Sequence, residues 1–86
     1  MDINQLISIV QDKIEKNIKV ENIKIVDKTF LHKKHQSHTE GKFHLKLIIH
    51  SKKLKKMSKI ESTKKIYNII GEELKKNIHS IQILIE

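Results

Sequence analysis

The chain contains no cysteine, proline, tryptophan or arginine, and it has only two glycines and three aromatic residues in 86. Without cysteine it cannot form a disulfide, supply a thiolate metal ligand or use a cysteine nucleophile. Without arginine it lacks the side chain that most often reads guanine in DNA. No apolar run approaches the ~20 residues of a membrane-spanning helix, and the first residues do not resemble a signal peptide. These absences predict a soluble, cytoplasmic protein with no membrane partner.

Lysine is what the chain has in excess. All eighteen basic residues are lysines, and the formal net charge is +8. Nine lysines lie between residues 42 and 65 against one acid, Glu61. Such a concentration fits nucleic-acid phosphates, and the candidate contacts are Lys52, Lys53, Lys55, Lys56, Lys59, Lys64 and Lys65. The alternative, a solvated lysine face in a chain of AT-biased codon usage, is the favoured one.

The hydrophobic period predicts where helices and strands lie in the first half of the chain. Phe43, Leu45, Leu47 and Ile49 alternate with other residues between Gly41 and Ser51, which is typical of a strand with one apolar face. An amphipathic pattern over residues 3–16, with an aspartate before it, predicts a capped helix. A less regular alternation over residues 21–30 predicts a first strand.

The second half of the sequence predicts a helical crossover and a third strand. A short helical turn is expected from Leu54 to Met57, and Ser58 and Glu61 form a capping-box pattern that starts a helix near Lys59. This helix is expected to continue to about residue 76, with Gly71 inside it, tolerated for close packing. Residues 78–86 alternate again and predict a strand.

These elements predict one α+β domain over residues 1–86, ordered α-β-β-α-α-β, with helices on one face of a three-stranded mixed sheet. The hairpin makes the first two strands antiparallel. The right-handed helical crossover makes the third strand parallel to the second.

Histidines are concentrated at one end of this predicted sheet. His32, His35 and His38 lie in a polar hairpin loop that has no apolar anchor and is expected to be mobile. Because parallel strands start at the same edge, His79 and His44 should lie beside that loop. Because the histidines converge, we give equal weight to two interpretations: a specific metal site, and a loop that binds metal only adventitiously. For His44 we favour a structural role, bonded to a backbone carbonyl. No nucleophile–base pair or carboxylate pair lies near these histidines, so the protein is not expected to be an enzyme or to have a small-molecule substrate.

Several segments in order resemble the BolA-like protein family. They are His32-Lys-Lys-His35, the strand GKFHLKLIIHS, Ser51-x-x-Leu54, Ile66-Tyr67, Glu72-Glu73-Leu74 and Ile78-His79-Ser80-Ile81. The likeness covers residues 24–86 and implies a fold related to class II KH domains, in agreement with the predicted order.

The resemblance implies a function that composition alone does not. BolA-like proteins pair with monothiol glutaredoxins, and the heterodimer shares a 2Fe-2S cluster used in iron sensing or cluster trafficking. The family's histidine ligand matches His79, and its variable loop ligand matches His35, with His32 as the alternative. The glutaredoxin cysteine and glutathione would supply the thiolates, so the isolated chain is expected to hold no cofactor.

The chain departs from the family pattern where nucleic-acid contacts have been proposed. The family's R-H-R segment is Ser62-Thr63-Lys64 here, and the glycine of its F-x-G is Lys56. A GxxG phosphate clamp is absent. A DNA-binding transcriptional regulator, using the lysines of residues 42–65, is therefore the alternative function.

Overall fold

The computed structural model describes residues 2–29 and 42–86. Its elements in this part of the chain are α1 (Ile3–Asn17), β1 (Asn22–Asp27), β2 (Phe43–His50), α2 (Lys52–Lys55), α3 (Lys59–Ile69), α4 (Gly71–Lys76) and β3 (Ile78–Ile85). The α+β prediction is confirmed. The crossover between β2 and β3 contains three helical pieces where the sequence predicted a turn and one helix.

Helix α1 begins where the sequence predicted because Asp2 caps it. The Asp2 carboxylate accepts from the Gln5 N–H at 2.8 Å, and the Gln5 side-chain oxygen accepts from the Asp2 N–H at 3.0 Å. These reciprocal bonds satisfy amides that a helix start leaves unpaired. Leu6, Val10 and Ile14 form the buried stripe of α1. Among the described residues, no helix is both long and apolar enough to cross a bilayer.

The sheet has the order β1-β2-β3, with β1 antiparallel and β3 parallel to β2. The predicted parallel pairing is thus confirmed. Residues Leu45, Leu47 and Ile49 of the central strand are at most 2% exposed, and in β3 they pair with Ile81, Ile83 and Ile85. The buried cluster joins this face of the sheet to α1, α2 and α3, so the helices pack on one face, as predicted.

The crossover corrects two expectations. The helix predicted through residue 76 is interrupted at Ile70, which ends α3 and precedes α4. Gly71 is therefore the first residue of α4, and a Cβ built on it would meet nothing within 4 Å. Close packing is not the reason for this glycine. The start of α3 is as predicted, because the Ser58 hydroxyl accepts from the Glu61 N–H at 3.1 Å.

An ion pair between Lys13 and Glu73 connects α1 and α4. Lys13 Nζ donates to both carboxylate oxygens of Glu73, at 2.9 and 3.0 Å, and the Glu73 side chain is only 9% exposed. A carboxylate so deeply buried depends on this partner, because it has lost most of its hydration. The pair contributes more than the exposed pair between Lys16 and Asp12 on the same helix.

Replacing Lys13 by Met should lower the free energy of unfolding by about 1–2 kcal/mol, because it leaves the Glu73 carboxylate buried without its cation. Urea denaturation followed by circular dichroism measures the change. Lys16→Met is the matched control and should cost less than about 0.5 kcal/mol. Equal losses in the two variants would contradict a stabilising role for the buried pair.

Candidate metal centre at the start of the third strand

A β-bulge places His79 at the start of β3. Phe43 pairs with Ile78, but the next residue of β2, His44, pairs with Ser80, so His79 is the extra residue on β3. The bulge allows both Ile78 and Ile81 to face the core although they are three residues apart. Bulges turn a side chain away from the regular pleat. Here the side chain is the predicted metal ligand, and it is exposed.

The bulge brings His79 against the buried His44. The two ring centroids are 4.9 Å apart, with the rings tilted by 52°. His44 is 5% exposed, and its Nδ1 lies 2.6 Å from the Ser80 hydroxyl oxygen. The structural role expected for His44 agrees with this burial. The partner of its Nδ1 is the Ser80 hydroxyl.

Hydrogen bonds to the His44 backbone hold the residues that follow β1 against β2. The His44 N–H donates to the Thr29 hydroxyl oxygen at 3.1 Å, and the Lys28 N–H donates to the His44 carbonyl at 2.7 Å. Thr29 in turn donates from its N–H and its hydroxyl to the Asp27 carboxylate. The residues that border the segment 30–41 on its N-terminal side are therefore fixed beside His44.

The surroundings of the pair are basic. Lys28 and Lys46 line a depression of about 340 Å³ together with His44, Ser80 and Gln82. No acidic side chain of residues 2–29 and 42–86 lines this depression. A depression with two ammonium groups and imidazole nearby favours an anionic ligand or an anionic metal complex.

The structure places only part of the predicted site. His79 lies where the topology predicted. The loop histidines His32, His35 and His38 lie outside the described residues, so the predicted mobility of their loop stays a prediction. Within residues 2–29 and 42–86, no three His, Asp or Glu side chains are grouped so that they could hold a metal ion. Of the predicted ligands, His79 is the one that lies in the described part of the chain.

The candidate nucleic-acid residues lie toward the other end of the sheet, where β2 leads into α2. Six of the seven lysines are exposed and Lys65 is half-buried. None of the seven forms an ion pair with an acidic side chain of the described residues. The two predicted sites are thus separate surfaces.

The sequence analysis did not predict that Ser80 and Thr29 would be hydrogen-bond partners of His44. It also did not predict the bulge at His79. A signal for the bulge was present, because Ile78 and Ile81 are both apolar at an odd spacing in a strand whose other core positions are two apart. No comparable signal marked the hydroxyl partners, since they are brought to His44 by the pairing of separate strands.

Comparison with known proteins supports the resemblance. The family model described as BolA-like protein matches residues 14–86. No curated protein sequence matches the chain significantly.

Solved structures with the same fold include BolA1 from Arabidopsis thaliana, with a TM-score of 0.77, 23% identity, and coverage of 92% of this chain and 87% of that one. The BolA domain of SufE1 from Arabidopsis thaliana has a TM-score of 0.77 at 21% identity, covering 100% of this chain and 93% of that one. BolA1 from Mus musculus has a TM-score of 0.72 at 17% identity, covering 90% of this chain and 60% of that one.

Proposed function

Because the chain belongs to the BolA-like protein family, we propose that it is a binding module that pairs with a monothiol glutaredoxin and co-ligates a 2Fe-2S cluster. Its role would be iron sensing or iron–sulfur cluster trafficking, without catalysis. The observation that supports this most strongly is the exposed His79 at a bulge, beside a buried histidine that is hydrogen-bonded to Ser80.

The donor chemistry fits a shared cluster better than a cluster held by this chain alone. A 2Fe-2S cluster takes four ligands, and histidine is an established alternative to cysteine on one of the irons. The described residues offer His79, and the sequence offers no thiolate. The loop histidine would be His35 or His32, and the thiolates would come from the glutaredoxin and glutathione. Bound there, the cluster would supply a one-electron centre whose potential histidine ligation raises.

Local charge supports the same partner. A thiolate-ligated cluster and the carboxylates of glutathione are anionic, and Lys28 and Lys46 line the depression next to His44. The bulge contributes in a second way. It turns His79 out of the pleat while the flanking Ile78 and Ile81 remain packed on the core, so the backbone of the ligand is held by the sheet.

Mixing the chain with a monothiol glutaredoxin, iron, sulfide and glutathione tests the proposal. We expect a one-to-one complex by size-exclusion chromatography, with a visible circular dichroism spectrum different from that of the glutaredoxin with its own cluster. The chain treated alone should hold no cluster, because it lacks thiolates. A glutaredoxin spectrum that the chain does not alter, with no complex formed, would refute the proposal.

A second candidate function is DNA binding by the lysines of α2, the turn after it and α3. Their exposure and the absence of acidic partners among the described residues favour it. If the seven lysines neutralised seven phosphates, the affinity for duplex DNA should fall about 10³–10⁴-fold between 50 and 200 mM salt. Fluorescence anisotropy with a labelled duplex measures this. A weak affinity that hardly changes with salt would rule out DNA binding. The affinity of the cluster-bearing complex, in contrast, should not fall steeply with salt concentration.

A further inference from the structure

The outer edge of β3 carries backbone groups that no other strand uses. Glu86 donates its N–H to the Ile49 carbonyl at 2.8 Å and accepts from the Ser51 N–H at 3.3 Å, which is the parallel bonding pattern. Because successive residues of a strand point their backbone groups to opposite sides, Ile81, Ile83 and Ile85 direct theirs away from β2. Within the described residues these three N–H and three carbonyl groups have no hydrogen-bond partner.

This edge lacks the features that usually keep a strand edge from pairing. Natural edge strands are commonly short, or carry lysine or proline. Strand β3 has eight residues, Ile78–Ile85, with five aliphatic side chains and no charged residue except the titratable His79. In a chain with eighteen lysines the absence of any lysine from this strand is notable. Strand β1, the other edge, is shorter and carries Lys24 and Asp27.

A groove runs beside the same edge, between β3 and the helices of the crossover. It has a volume of about 280 Å³. Its apolar walls are formed by Leu54, Met57, Ile83 and Ile85. Among residues 2–29 and 42–86, the charged residues that line it are Lys55 and Lys59. Side chains of a strand added to β3 would alternate between this groove and the open face of the sheet.

We propose that the outer edge of β3 is a docking site for an extended, acidic segment of a partner protein, which adds to the sheet as a fourth strand. The unused N–H and carbonyl groups of Ile81, Ile83 and Ile85 supply the main-chain bonds. The groove-facing positions of the segment carry both kinds of side chain: apolar ones that enter the groove and carboxylates that meet Lys55 and Lys59. This is recognition by strand addition, in which the backbone gives affinity and the pockets give selectivity.

Charge and geometry favour this occupant over two others. A second copy of the chain would bring another net charge of +8 and the same two lysines to the edge, so self-pairing is opposed electrostatically. Single-stranded nucleic acid would satisfy the lysines, but it has no regular ladder of N–H and carbonyl groups to match three consecutive edge residues. The site lies toward the opposite end of β3 from His79 and does not depend on the proposed cluster.

The probe is a library of fluorescein-labelled ten-residue peptides in which every second residue is Thr and the positions between vary among Val, Ile, Phe and Glu, so that apolar and acidic side chains share one face. The best binder by fluorescence anisotropy is then made in two N-methylated forms, each blocking the amides on one edge of the peptide. Only one form should lose affinity, by at least about tenfold, because only one edge faces β3. In amide-exchange NMR, Ile81, Ile83 and Ile85 should gain protection when the peptide is bound.

Charge-reversed variants locate the site. Lys55→Glu/Lys59→Glu should weaken the best peptide by about tenfold at 50 mM salt, whereas the control Lys75→Glu/Lys76→Glu, which has the same net charge, should not. His79→Ala should also leave peptide affinity unchanged. The proposal is overturned if no peptide in the library protects the three isoleucine amides, or if both N-methylated forms bind equally. Tight binding of a (dT)20 oligonucleotide that displaces the peptide, with protection of the same amides, would assign the groove to nucleic acid instead.

Discussion

Replacing His79 by Ala should abolish the cluster spectrum of the complex with a monothiol glutaredoxin while leaving the fold intact. The side chain is exposed, so its removal opens no cavity and leaves no buried group without a partner. Its backbone is fixed between Ile78 and Ile81, both packed on the core, so no other side chain of the described residues can take its position. If His79 is the proposed ligand, loss of a side chain held in this way should remove the site. Absorption and circular dichroism between 300 and 650 nm report the cluster, and far-ultraviolet circular dichroism reports the fold.

His50→Ala is the matched control. It is the same substitution at the far end of the sheet, where the His50 Nε2 lies 3.6 Å from the Glu86 carboxylate. It should leave the cluster spectrum unchanged. His35→Ala should only shift or weaken the spectrum, because His32 and His38 are close enough in sequence to replace it. If His79→Ala stays folded and keeps a normal cluster, the ligand assignment is wrong for this chain, and DNA binding becomes the leading function.

The fold could be predicted because the chain changes its hydrophobic period sharply. The alternation from Phe43 to Ile49 can only be a strand with one buried face, and it is the central strand. The parallel pairing of β3 followed from the helical crossover, without any knowledge of side-chain contacts. The position of His79 beside His44 followed in turn from that topology, so the described half of the candidate site was accessible from sequence.

What the sequence could not define depends on contacts between distant residues. The hydrophobic pattern of a helix continues through Ile70, although the structure ends α3 there. The side chain of Ile70 is buried, and α4 packs on α1 through Glu73. The hydrogen bond between Ser80 and His44 depends on a shift of one residue in register. The choice between His35 and His32 rests on a polar segment whose sequence has no apolar period to orient it.

The same Leu→Ala substitution should lower the free energy of unfolding by very different amounts on the two faces of the sheet. Leu47 is 0% exposed in the middle of the central strand, and Ile25 and Ile83 are its register partners on either side. Leu84 lies on the face away from the helices and is 37% exposed. Replacing a fully buried leucine by alanine removes its transfer free energy and leaves a cavity that the surrounding core fills only partly.

Leu47→Ala should therefore lower the free energy of unfolding by about 3–4 kcal/mol, a large share of the total for a domain of this size. Leu84→Ala should cost less than about 1 kcal/mol, because its side chain is already partly in water. Urea denaturation of both variants, with the slope against urea compared to that of the unsubstituted chain, gives the two values. A cost at Leu84 close to that at Leu47 would mean that the outer face of the sheet is also covered, and would contradict the one-sided packing of the helices.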